Sequence, residues 1–222
     1  MGVLLLVRHG QASFGADDYD VLSATGHEQA RLLGKHLAGH GVTPDVVVRG
    51  DMRRHRETAE GMLAGGGWSA DVEVDAGWDE FDHLGVVAAH PDLASPSLDR
   101  REFQRVFEEA TARWTSGAGD ATYPEPWPGF LGRVRGSLER ACAQAGPGGT
   151  VVVVTSGGPV AVAAATLVDP DGDPATTARL WGRFNTVVVN SSYSRVVVGS
   201  TGARLLTFNE HAHLEGDTLT YR

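Results

Sequence analysis

The sequence predicts an α/β layered fold, a three-layer α/β/α sandwich around a central, mostly parallel sheet. Two short, unbroken aliphatic runs, residues 3–7 and 150–154, read as strands buried on both faces. Segments of helical period alternate with such runs along the chain, the arrangement that builds parallel sheets. The chain has 222 residues, of which 41% are hydrophobic and 21% charged. One core can grow to about 250–300 residues, so a single domain over residues 1–222 is expected.

The elements follow in order. Residues 3–7 form a first strand, and Thr25-Gly26-His27-Glu28-Gln29-Ala30 opens a helix. Leu32, Leu33, His36 and Leu37 then recur at helical spacing, and Gly39 and Gly41 end it. Residues 45–48 form a second strand and 52–63 a second helix, stopped by Gly65-Gly66-Gly67. Residues 72–74 are a short third strand. An amphipathic helix over 101–114 carries Phe103, Val106, Phe107 and Ala110. Residues 117–128 are rich in Gly and Pro and read as a loop. A helix spans 130–145, the strongest strand 150–154, and a further helix 159–167. Residues 187–189, 195–198 and 204–208 read as strands.

Composition excludes several classes. Lys plus Arg number 19 against 28 Asp plus Glu, a net charge of −9. That is the wrong sign for a general nucleic-acid surface, though two or three arginines suffice for a small anion. The single cysteine, Cys142, forms no internal disulfide framework and suits a reducing, cytoplasmic setting. It lies among Leu138, Ala141 and Ala145 and reads as a packing residue. No apolar stretch reaches the length of a membrane span.

Chemistry concentrates at the ends of strands, where open α/β sheets bind ligands. The first strand runs into Arg8-His9-Gly10. Arginine offers planar donors to phosphate or carboxylate, histidine can be nucleophile, base or ligand, and glycine admits close backbone approach. A strand-end Arg and His can equally be solvated. The second strand leads to Arg49, Arg53, Arg54 and Arg56 at the start of a helix, itself an anion-favouring place. Arg53 and Arg56 have Glu57 and Glu60 as neighbours to pair with. Asp169-Pro170-Asp171-Gly172-Asp173 lacks the spacing of a calcium loop and reads as a turn. His211 and His213 have no third ligand spaced to complete a metal site, and no metal or cofactor is expected.

Together, Arg8-His9-Gly10 and Arg53-Arg54-His55-Arg56-Glu57-Thr58-Ala59 resemble the two signatures of the histidine phosphatase superfamily, which includes the phosphoglycerate mutases. The Thr25-Gly26-x-x-Gln29-Ala30 helix start is also similar. His55 stands where that pattern usually has alanine. The resemblance implies a phosphoglycerate mutase-like fold and a phosphomonoesterase acting on a small phosphorylated substrate. It implies that His9 becomes phosphorylated while Arg8 and Arg54 bind the phosphoryl oxygens. The general acid after the third strand falls on Glu80, with Asp79 and Asp82 beside it. Trp78 or Phe81 would desolvate such an acid. An acidic surface turn is the plainer reading of these three. No family motif falls in residues 84–130, which are expected to form a variable cap or insert; Trp114, Tyr123, Trp127 and Phe130 line the cap or belong to the core.

One position departs from the family. After the strand 150–154 comes Thr155-Ser156-Gly157-Gly158-Pro159, and Ser156 holds the place of a second histidine. The turn at Ser156 and Gly157 still offers backbone N–H groups to an anion. Losing one charged donor costs about 10²–10³ in rate, so turnover is expected to be slow and Ser156→His to raise it. His83, three residues beyond Glu80, and His55, beside Arg54, are the histidines that could compensate. A relative that binds phosphorylated ligands or a protein partner without turnover is the alternative. A mutase, which needs a closed basic pocket, fits the acid-rich, lysine-free stretch 84–130 less well.

Overall fold

The structure, a computed structural model, describes residues 1–13, 20–89 and 100–221, with the backbone alone at residues 100, 101, 103 and 104. Six strands form one sheet in the order β3-β2-β4-β1-β5-β6. They are β1 (Gly2–Arg8), β2 (Val46–Arg49), β3 (Asp71–Val74), β4 (Thr150–Thr155), β5 (Tyr193–Gly199) and β6 (Gly202–Glu210). The strands β1, β2, β3 and β4 are mutually parallel. β5 runs against both β1 and β6.

The helices are α1 (Ala24–Gly39), α2 (Arg53–Gly66), α3 (His83–Ala88), α4 (Arg100–Thr115), α5 (Trp127–Ala145), α6 (Gly157–Val168) and α7 (Pro174–Asn185). Alternation along the strands splits the core into two layers. Leu5, Val7, Val47, Val152 and Val154 pack against Leu33 and Leu37 of α1 and Ala59 and Met62 of α2. Leu4, Leu6, Val48, Val151 and Val153 face the other way, onto α5 and α6. The aliphatic runs are therefore buried on both faces, as their composition predicts.

Three stretches differ from the sequence reading, among them α3 (His83–Ala88), which that reading does not contain. Residues 187–189 form no strand. Val188 and Val189 are buried, but side chains take their backbone groups: Asn209 accepts from the Val189 N–H at 2.8 Å and donates to the Val187 carbonyl at 2.8 Å, and Arg8 donates to the Val188 carbonyl. Helix α7 has no counterpart in that reading. Asp173 caps it by accepting from the Thr176 N–H at 2.6 Å, and Pro174 sits in its first turn. The acidic turn at 169–173 thus ends as a helix cap.

The stretch 117–128 is a loop with one 3₁₀ turn, Asp120–Thr122, and α5 begins at Trp127. Trp114, Trp127, Phe130 and Tyr123 are buried. Phe81 stacks on Trp114 at 4.8 Å, and Trp181 meets Trp127 at 5.3 Å. These rings are core beneath the loop that carries Glu80. Residues 90–99 of the expected insert lie outside the described residues. No described helix is long and apolar enough to cross a membrane.

Candidate active site

Parallel pairing brings the sequence-distant residues together. Arg8 at the end of β1 is in register with Thr155 at the end of β4, and Arg49 at the end of β2 with Val154. The chain therefore leaves three neighbouring strands on the same side, at His9, Gly50 and Ser156.

His9 is buried. Its Nδ1 lies 2.6 Å from the Gly10 carbonyl, so Nδ1 carries the proton. Nε2 then presents its lone pair to Arg54, whose Nε donates at 3.2 Å. The backbone is fixed as firmly. The His9 N–H donates to Thr155 at 2.7 Å, and the His9 carbonyl accepts from the Ser191 N–H at 3.1 Å. Ser191 takes a left-handed conformation, φ 56°, to make that bond, a strained backbone of the kind found beside functional groups.

Arg54 reaches the site from the first turn of α2. Its Nη1 meets Asp20 at 2.8 Å and its Nη2 lies 3.5 Å from Ser156 Oγ. Asp20 also accepts from the Arg53 N–H at 2.7 Å and so caps the helix. Thr58, one turn on, donates to the Arg54 carbonyl and accepts from the Gly10 N–H. The Gly10–Thr58 and His9–Arg54 bonds tie α2 to the β1 end, and Asp20 ties it to the segment before α1.

Ser156 is fully buried at the N-cap of α6. Its Oγ lies 2.7 Å from His55 Nε2, and His55 Nδ1 faces Asp79 at 3.7 Å. Glu80 sits on the same turn, accepting from the Gly158 N–H at 3.0 Å and the Phe81 N–H at 3.2 Å. A Cβ on Gly158 would fall 2.1 Å from the Glu80 carboxylate, so glycine is needed for this approach. Arg133 of α5 holds the loop from below, donating to the Asp79 carbonyl at 2.6 Å and the Glu80 carbonyl at 3.3 Å.

The pocket keeps its imidazoles neutral. Burial pushes His9 well below the usual histidine range, and the charges of Arg54 and Arg8 push it further. Burial acts likewise on His55, with Arg54 and Arg49 adding to it. Asp79 moves the opposite way, raised by burial. A neutral imidazole with a directed lone pair beside fixed positive charge can attack an anionic electrophile.

The family model of the histidine phosphatase superfamily (branch 1) matches residues 4–211. The chain belongs to the histidine phosphatase superfamily. No curated protein sequence matches it. Among solved structures, this histidine phosphatase superfamily chain is similar to a phosphoserine phosphatase from Entamoeba histolytica, a histidine-to-alanine mutant in complex with phosphoserine. The TM-score is 0.69 at 17% identity, covering 97% of this chain and 100% of that one. It is also similar to a mycobacterial glucosyl-3-phosphoglycerate phosphatase in complex with VO3, with TM-score 0.66 at 22% identity over 95% and 100% of the two chains. A Bacillus stearothermophilus protein, YhfR, gives 0.66 at 20% over 96% and 99%. At these identities the likeness is one of fold.

In this superfamily member His9, Arg54, Glu80, Ser156 and Gly157 gather around one strand end. Arg8 also borders it: its Nε would lie 3.6 Å from a Cβ at Gly157, and its Nη1 donates to the carbonyls of Val188 and, at 3.0 Å, Tyr221. Of the two compensating histidines, His55 touches Ser156. His83 feels the charge of Glu80, while burial lowers its proton affinity. His211 and His213 lie elsewhere, His213 donating to the Ser191 carbonyl at 3.0 Å. Among the described residues no cluster of three or more His, Cys, Asp or Glu is arranged to hold a metal. The sequence reading passed over Asp20, Arg133 and Ser191, which carry no motif and meet the site only through the fold.

Proposed function

We propose that the protein is a phosphomonoester hydrolase working through a phosphohistidine on His9. The observation that carries this reading is the aim of the His9 ring, with Nδ1–H fixed on the Gly10 carbonyl and Nε2 turned to Arg54. In the first step the Nε2 lone pair attacks phosphorus and the bond to the ester oxygen breaks. Arg54 and Arg8 hold the equatorial oxygens as charge spreads over them. Glu80 gives its proton to the departing alkoxide. Water then attacks the phosphohistidine, Glu80 takes that water's proton, and His9 leaves as neutral imidazole. Electrostatic stabilisation comes from the arginines and the first turn of α6.

The substrate class is a small phosphate monoester, and a cytoplasmic setting fits the lone Cys142. The two phosphatases of similar fold make O-phosphoserine and phosphoglycerate esters sensible members of a substrate panel. A second reading, phosphate binding without turnover, draws on the serine at 156. One assay separates them: hydrolysis of the panel by wild type and His9→Ala, with and without a chelator. Turnover in wild type, lost by about 10³-fold or more in the variant and untouched by the chelator, is the expected result. Turnover that survives in His9→Ala overturns the mechanism. A wild type that binds phosphate and hydrolyses nothing makes the second reading the correct one.

A further inference from the structure

We propose that Ser156 is a fourth contact to the phosphoryl group and that His55, braced by Asp79, is the positioning residue that holds a proton behind it. The proposal rests on the phosphatase reading for the identity of the ligand.

Ser156 does not behave as an ordinary N-cap serine. A serine at an N-cap ordinarily accepts from the N–H two or three residues on. Here the second position, Gly158, gives its N–H to Glu80, and the third is Pro159, which has none. Ser156 makes no side-chain cap bond. Its hydroxyl turns instead into the site, between His55 Nε2 at 2.7 Å and Arg54 Nη2 at 3.5 Å. Arg54 in turn contacts the Nε2 of His9, so Ser156 Oγ borders the space a phosphoryl group on His9 would fill.

The fold also makes room for the His55 ring. His55 is fully buried, and its Nδ1 has no hydrogen-bond partner. A Cβ on Gly50 would lie 2.3 Å from His55 Nδ1 and 2.5 Å from Asp79 Oδ1. Glycine at 50 leaves that gap open. A buried ring with one nitrogen unpaired and facing a carboxylate is a costly arrangement for packing alone.

The groups give a closed proton account. At rest the ring is neutral, Nδ1–H points toward Asp79, and Nε2 accepts the Ser156 hydroxyl. A phosphate monoester arriving as its monoanion places P–O–H against Ser156 Oγ. The Ser156 proton passes to His55 Nε2 as the phosphoryl proton passes to Oγ. The result is a phosphoryl dianion accepting from Ser156 Oγ–H, and an imidazolium between Ser156 and Asp79. No proton is gained or lost. A ligand that arrives as the dianion instead draws one proton from solvent. The groups facing the ring are His9 just after β1, Arg49 from β2, Arg54 from α2 and Asp79 from the loop after β3.

Proton uptake measures this without turnover. Titration calorimetry of inorganic phosphate, at alkaline pH where it is the dianion, is run in two buffers of different ionisation enthalpy. Wild type should take up a measurable fraction of a proton on binding, up to one per phosphate, as the bound dianion raises the ring's proton affinity. His55→Gln, which keeps a donor in the place of Nε2 but cannot hold the proton, should take up none. In the hydrolysis assay the same variant should keep KM within about threefold and lose kcat by about 10²-fold. Ser156→Ala and the Ser156→Ala/His55→Gln pair should fall no further than the larger single loss, because the two act in series. Thermal melts confirm that each variant folds. Equal uptake in wild type and His55→Gln, or losses that multiply, would overturn the proposal. If phosphate binds with proton uptake but no ester is hydrolysed, the phosphatase reading falls and this one stands. If esters are hydrolysed through His9 with no uptake, only this one falls. If no phosphate binds, both fall.

Discussion

At the scale of single residues, position 156 shows how far a motif can be read. The sequence places a serine where the resembling family has histidine, and from that alone Ser156→His should restore a missing donor. The packing around Ser156 argues for the opposite outcome. Ser156 is fully buried and His55 Nε2 already lies 2.7 Å from its Oγ, so an imidazole at 156 must displace the one at 55. Overpacking of that kind costs about 1–3 kcal/mol. Ser156→His alone should therefore lower both kcat and the melting temperature. Adding His55→Ala should recover both, because alanine at 55 with histidine at 156 is the pattern the family motifs describe. Steady-state kinetics and melts on the two variants check this, and a faster single variant would count against it. Arg8, His9, Arg54 and Glu80 could be put forward as candidates because each is the residue a motif names. The sequence offered both His55 and His83 as partners for position 156 and could not choose between them, because 55 and 156 are far apart along the chain and are brought together by the pairing of β2 with β4.

At the scale of elements, periodicity served well wherever burial set the pattern. β1 and β4 are continuous aliphatic runs because both faces are covered. Residues 187–189 have the same composition and no strand, since a β-branched run shows burial and not who takes its hydrogen bonds. Asn209 takes them. It adopts φ 60° and its amide bonds both the Val189 N–H and the Val187 carbonyl. Asn209→Ala leaves those groups without their partner and keeps an unfavourable backbone angle at 209. The expected cost is about 1–3 kcal/mol, read as a lower midpoint in urea with an unchanged slope. An unchanged midpoint would mean that other groups hold this segment. Helix α7 carried a visible signature, Asp173-Pro174 with Thr176 three residues after the cap, but its apolar face is thin, with Thr177 and Trp181 as its buried residues.

At the scale of the whole molecule, acidic composition surrounds a positive site. A net charge of −9 argues against a general polyanion-binding surface but says nothing about where the arginines converge; topology decides that by ending β1, β2 and β4 on one side. The same burial that serves the site makes the fold sensitive to acid. His9 and His55 are held well below the ordinary histidine value, chiefly by burial. His213 is lowered to about 4, again chiefly by burial, with the charges of His36 and His211 adding to it. In the unfolded chain these rings titrate near 6.5. Between the folded and unfolded values the unfolded state binds more protons, so stability rises with pH through that window and is lost as pH falls below about 6.5. For His213 the window runs from about 6.5 down to about 4, with a slope of at most about 1.4 kcal/mol per pH unit from that ring. Melting temperatures should therefore fall steadily as the buffer is taken from pH 7 to pH 5, above the range where most carboxylates titrate. His213→Gln should flatten this dependence while changing little at pH 7, since its amide can donate to the Ser191 carbonyl as the ring does. Melts of both proteins across that range test it. A variant as acid-sensitive as wild type would assign the loss to the other lowered rings, His9, His55, His83 and His36, and a wild type insensitive to acid over the whole interval would show that these rings are not held neutral.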